Sequence, residues 1–213
     1  MDQYIKKLSD IISNGSMDNT YKMSWIRSIV EVCKNDPKHE IHFDELSFLI
    51  FKYYWNQSIF FKLQQGNNVN KKPEIIQIVE DKINKYQSEY GNQPKTFIRV
   101  KDKIEVPVNK ISEILKQDVS WRFLKVGKDT YNIYDCDTHN KVIRISHPEL
   151  IQKYSDILYQ LINYRWSQKL EDTDGSPRIS KKIRGVDREN IPSRKSLKSF
   201  HKFLDMENPN KKC

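Results

Sequence analysis

The sequence predicts a mainly α-helical fold with a small α+β portion. Three observations predict it. Apolar residues recur at three- and four-residue steps over most of the chain, which is the mark of helices with one buried face. Short runs rich in Val, Ile, Tyr and Phe, set between Gly, Asp and Asn turns, are confined to the middle of the chain. Charged residues reach 31%, yet 4 Trp, 11 Tyr and 9 Phe in 213 residues supply the apolar bulk that a disordered chain lacks.

The elements follow in order. Tyr4, Ile5, Leu8, Ile11 and Ile12 form one stripe of a first helix, ended by Asn14-Gly15-Ser16. Trp25, Ile26, Ile29, Val30 and Cys33 mark a second helix over 21–33, stopped at Asn35-Asp36-Pro37. Asp44 is a candidate cap for a third helix over 45–65. That segment is apolar nearly all round, so it is expected to be buried on most sides and to act as the spine of the N-terminal half. Pro73 and Glu74 open a fourth helix whose inner face is Ile75, Ile76, Val79, Ile83, Tyr86 and Tyr90, closed by Gly91. A further helix is expected over 107–116. Residues 119–126, 131–134 and 141–145 have strand character and predict a three-stranded antiparallel meander. Ser146 and Glu149 form a capping-box pattern for a long amphipathic helix reaching about residue 169. The predicted organisation is a helical domain (1–92), an α+β domain with the meander and the long helix (93–175), and a basic linker and basic C-terminal helix (176–213).

Composition excludes several classes. Three Cys rule out a disulfide scaffold and point to a reducing, cytoplasmic setting. The first residues lack the layout of a signal peptide. The longest uncharged apolar-rich run, 53–61, is far short of the roughly 20 residues a membrane span needs, so no membrane partner is expected.

The formal net charge is +9, from 37 Lys+Arg against 28 Asp+Glu, and it is unevenly placed. Residues 1–175 hold 26 basic and 24 acidic side chains, whereas 176–213 hold 11 basic and 4 acidic. A near-neutral body with a basic segment points to a local polyanion contact. Arg178, Lys181, Lys182, Arg184 and Arg188 lie in a loop-like stretch with Gly185 and Pro192. Ser193 then caps an expected helix. At about 100° per residue, Arg194, Lys195, Lys198 and Lys202 fall in one arc, and Leu197, Phe200, Phe203 and Leu204 fall opposite. Such a helix docks on the body and holds four cations outward. Its apolar face is one core stripe wide, which favours nucleic acid over a lipid surface. Phosphate contact is the expected role of these nine cations, with salt-sensitive binding.

Other candidates were weighed against structural roles. Cys33, His39 and His42 fit no strong zinc spacing, and Cys33 already fits a core face. Glu80-Asp81-Lys82 contains an acidic-x-Lys element, read as a solvated helix face. Cys136 and His139 flank a turn. Tyr53-Tyr54-Trp55-Asn56-Gln57 can stack bases, but core packing is the preferred reading, and Asn56 and Gln57 then need buried partners. No nucleophile elbow or Gly-rich phosphate loop is present, so no catalytic residue is assigned.

Several strings carry a family likeness: Tyr53-Tyr54-Trp55-Asn56-Gln57 with Phe60-Phe61, Leu63-Gln64-Gln65, Asn70-Lys71-Lys72-Pro73-Glu74, Trp121-Arg122-Phe123-Leu124, Ile162-Asn163-Tyr164-Arg165-Trp166, the stretch from Ser176 to Gly185, and the ending from Leu204 to Cys213. With these the chain resembles the region before the nuclease domain in bacterial HNH endonucleases of the restriction or phage-defence type. The resemblance implies a following Cys-x-x-Cys pair that holds a structural zinc beside a ββα-metal fold. There a His acts as general base on water, and a divalent cation such as Mg stabilises the charge on the scissile phosphate. By this resemblance Cys213 matches the first zinc cysteine. The second cysteine, the base His and the metal ligands have no counterpart, so the chain is expected to bind DNA without cutting it, and to hold no cofactor of its own. Its expected partners are double-stranded DNA and either a homodimer mate or a second chain carrying the nuclease module. The competing expectations are a stand-alone nucleic-acid-binding regulator, with the meander as a wing, and a protein–protein adaptor of a defence system.

Overall fold

The computed structural model describes residues 2–66, 68 and 71–173. It is mainly α with a small antiparallel sheet, as the periodicity predicts. The helices are α1 (Gln3–Asn14), α2 (Tyr21–Asn35), α3 (Phe43–Phe61), α4 (Glu74–Tyr90), the single turn α5 (Phe97–Val100), α6 (Val108–Asp118), α7 (Pro148–Lys153) and α8 (Ser155–Glu171). The strands are β1 (Glu40–His42), β2 (Lys125–Val126), β3 (Asp129–Thr130), β4 (Tyr134–Asp137) and β5 (Val142–Ile145).

α2 and α3 form the centre. Trp25, Ser28, Ile29 and Val30 of α2, and Ile50, Phe51, Tyr54 and Trp55 of α3, are all buried. α8 and α7 cover α2, while α4 and α6 cover α3. α3 buries Phe43, Leu46, Ile50, Phe51, Tyr54 and Trp55, but Phe48, Phe60 and Phe61, which the all-round apolar pattern would bury, are exposed. It starts two residues earlier than its apolar pattern predicts. Asp44 sits inside the first turn, where its carboxylate accepts from Ser112 Oγ at 2.7 Å, so it is not the cap. The first free amide of the helix, Phe43 N, is instead satisfied by the Lys141 carbonyl at 2.8 Å.

The three-stranded sheet has the order β1-β5-β4, all antiparallel. The predicted meander therefore changes in composition. Its third strand is Glu40–His42, from the N-terminal half, and not residues 119–126. Ile143 pairs with Ile41 on one side and Cys136 on the other, facing inward. Arg144 faces outward, 3.1 Å from Glu40 and 3.6 Å from Asp137. In 119–126 the inward residues are Val119 and Phe123, four apart, which is helical spacing. The chain there continues α6 in turns, with Phe123 N donating to Val119 O, and only Lys125–Val126 pairs, with Asp129–Thr130, in a separate hairpin turned at Gly127.

Two further expectations shift. The long helix is divided at Tyr154 into α7 and α8, and Ile157 at the start of α8 is 61% exposed. Its cap is His147, with Pro148 in the first turn, and not Ser146. The division at residue 92 does not separate two cores. One apolar cluster runs from Tyr4 through Trp55 to Trp166.

Candidate nucleic-acid interface

The predicted contact residues Arg178, Lys181, Lys182, Arg184, Arg188, Arg194, Lys195, Lys198 and Lys202, and the predicted zinc cysteine Cys213, lie outside the described residues. The structure describes the chain as far as Thr173, the root of that segment. Lys169, Glu171 and Thr173 at the end of α8 are buried. Thr173 Oγ1 lies 2.5 Å from the Leu170 carbonyl and 3.3 Å from the Gln64 carbonyl, which pins the chain against the loop after α3.

A buried polar network fixes that loop. Gln65, 2% exposed, accepts on Oε1 from Thr20 Oγ1 at 2.8 Å and from Trp166 Nε1 at 3.3 Å, and donates to Gln57 Oε1 at 2.6 Å. Tyr54 OH lies 2.9 Å from Thr20 Oγ1 and 3.1 Å from Ser24 Oγ. A buried network of this kind holds one geometry when every member has a partner. It ties the starts of α2 and of the C-terminal segment together.

Beside this root is an open groove of about 610 Å³ between the end of α1, the start of α2 and the β2–β3 hairpin. Asp18, Lys22, Asp118, Arg122 and Lys125 line it, and Asp118 lies 3.5 Å from the Arg122 guanidinium. Burial pushes the Lys22 and Lys169 ammonium groups down from the ordinary lysine value, and Asp18 offsets both. Asn19, which also lines the groove, bridges Gly66 beside Gln65, so the groove adjoins that loop. Trp121, 41% exposed, donates from Nε1 to the Gln117 carbonyl at 2.9 Å. Arg122 and Lys125 lie over its ring at 5.0 and 4.6 Å from the centroid. An exposed Trp that orders two cations lowers the entropy cost of setting them against phosphates. In the sequence Trp121 stands only within a family-like string. The signal that marks it is a Trp with cations at the next position and four further on.

The remaining candidates fall to structural roles. Tyr53, Tyr54 and Trp55 are core residues. Asn56 and Gln57 have the partners that burial requires: Asn56 Oδ1 accepts from Phe97 N at 2.9 Å, and Gln57 accepts from Gln65. Glu80 pairs with Lys72 at 2.7 Å on a helix face, and Asp81 is exposed. His39 Nδ1 lies 2.9 Å from the Ile145 carbonyl, whereas His42 is turned to solvent. Among the described residues no three His, Cys, Asp or Glu side chains gather as a metal site. Burial pushes the Cys33 thiol up to about 12. Since the thiolate is the nucleophile, Cys33 is expected to resist iodoacetamide at pH 8 in the folded protein and to react once denatured, as read by peptide mass spectrometry. Fast labelling of the native thiol contradicts its burial.

No protein-family model, curated protein or solved structure matches the chain. Among the described residues no helix is long and apolar enough to cross a membrane.

Proposed function

We propose that the chain is a DNA-binding region that holds duplex DNA for an HNH-type endonuclease of restriction or phage defence. The observation that carries this reading is the charge distribution: 11 basic against 4 acidic residues in 176–213, on a body of 26 against 24. The root of that segment adjoins a groove whose cations are ordered on Trp121, which supports a contact continuing onto the body. In this reading each Lys or Arg set on a phosphate releases condensed counterions, so affinity falls steeply with salt. Hydrolysis belongs to the HNH module implied by the resemblance, and the zinc and divalent cation belong there with it.

The test is fluorescence anisotropy on a labelled duplex across a salt series. Charge reversal at Lys195, Lys198 and Lys202 is expected to remove most of the affinity. It should also lower the slope of log K against log salt by about 2.7, at about 0.9 per lost phosphate contact. Unchanged affinity overturns the proposal. An absence of DNA binding at low salt favours the adaptor reading, and preference for an RNA duplex reassigns the ligand.

A further inference from the structure

The four basic residues Lys95, Arg99, Lys101 and Lys103 crowd into nine positions with one acid, Asp102, and all five are exposed. Some cations elsewhere on the body are matched: Lys34 with Asp156, Lys38 with Glu45, Lys72 with Glu80, Arg144 with Glu40. Among the described residues none of these four makes an ion pair. On a body of nearly zero net charge this stretch forms a basic ledge, four cations in nine positions against a single acid.

The ledge is held by buried residues of its own and by Trp55 and Asn56 of α3. Phe97 and Val100 alternate with the cations and are buried. The Phe97 ring packs among Phe48, Phe51 and Trp55, with centroids 5.4, 5.5 and 6.0 Å away. Trp55 Nε1 donates to the Lys95 carbonyl at 3.0 Å, and Asn56 Oδ1 accepts from Phe97 N at 2.9 Å. The far end rests on the same tryptophan. Trp55 packs on Tyr86 at 5.7 Å, Tyr86 stacks on Tyr90 at 5.2 Å, and Lys103 Nζ sits 4.2 Å above the Tyr90 ring. Cations on a backbone fixed at both ends lose less freedom on meeting an anion than cations on a loose loop.

We propose that this Lys95–Lys103 ledge is a second phosphate-binding surface, which grips the backbone of the same duplex as the C-terminal basic segment. The inference rests on the proposed DNA-binding function. Ile98, 64% exposed, also sits on the ledge, and a cationic surface with an apolar side chain can meet anionic lipid. A single apolar residue is too narrow a face for that, so duplex DNA is the occupant we assign.

The experiment reverses the ledge in the full chain, Lys95→Glu, Arg99→Glu, Lys101→Glu and Lys103→Glu, with folding checked by circular dichroism. A control reverses four exposed cations outside it, Lys6, Lys7, Lys71 and Lys153. The ledge variant is expected to weaken duplex binding about tenfold or more at low salt and to lower the salt slope by about 3.6, at about 0.9 per contact. The control should change the slope far less. If the fourfold variant unfolds, Lys101→Glu with Lys103→Glu is expected to lower the slope by about 1.8. Equal losses in ledge and control, or no loss in a wild type that binds, overturn the ledge alone. A wild type that does not bind duplex overturns both this inference and the function it rests on. Loss of binding to phosphatidylserine vesicles with duplex binding intact overturns the choice of DNA as occupant.

Discussion

Trp55→Ala is expected to lower the unfolding free energy by about 3–5 kcal/mol, the range for deleting a large aromatic side chain from a packed core. Trp55 is 0% exposed and touches Phe51, Tyr86 and Phe97. The loss has two parts, a cavity among these rings and a missing donor for the Lys95 carbonyl. Trp55→Phe separates them. It keeps most of the packing and removes the hydrogen bond, so it should cost far less than the alanine variant. Urea denaturation followed by circular dichroism measures both. A cost below about 1 kcal/mol for the alanine variant contradicts the packing described. Because Trp55 Nε1 holds the Lys95 carbonyl at the start of the basic ledge, Trp55→Phe is also expected to weaken duplex binding without altering any charge.

The second large effect is at the sheet. Ile143→Asp is expected to destabilise the whole chain by more than about 4 kcal/mol, since it sets a carboxylate without a partner into the interior. Ile143 is 0% exposed and is the middle residue of the three-strand row, between Ile41 and Cys136. Its neighbour Ile41 leads directly into α3, whose first amide is held by the Lys141 carbonyl. Damage at residue 143 therefore reaches the N-terminal helices. The expected result is one cooperative transition in which helical and tertiary signals are lost together. Two separate transitions, with 1–92 remaining folded, contradict a shared core.

The core helices were legible in the sequence. Tyr4, Ile5, Leu8, Ile11 and Ile12 are all buried on α1, as their spacing predicts, and so are Trp25, Ile26, Ile29, Val30 and Cys33 on α2. That half-buried Asn56 and Gln57 take protein partners was legible too, because a polar group among apolar neighbours is satisfied by pairing. Which partners they take was not. Phe97 and Gln65 lie far along the chain or beyond a turn, and no periodicity encodes them. Residues 95–103 show no regular periodicity, so their cations are legible in the sequence but the support from Trp55 and Asn56 is not.

What the sequence determined by itself is the helical content, the faces that turn inward, and the concentration of positive charge in 176–213. These depend on the order of residues over a few turns, because a helix makes its hydrogen bonds to the residue four positions back. The tertiary structure alone decided the third strand and the matching of surface charge. Glu40–His42 is too short and too polar to read as a strand, and it becomes one only because β5 offers a free edge; its Glu40 meets Arg144 across 104 residues of chain. Ion pairs follow the same rule. Lys34 finds Asp156, while Arg99 and Lys101 find no acid, and only the packing of distant helices separates the neutralised cations from those left unpaired.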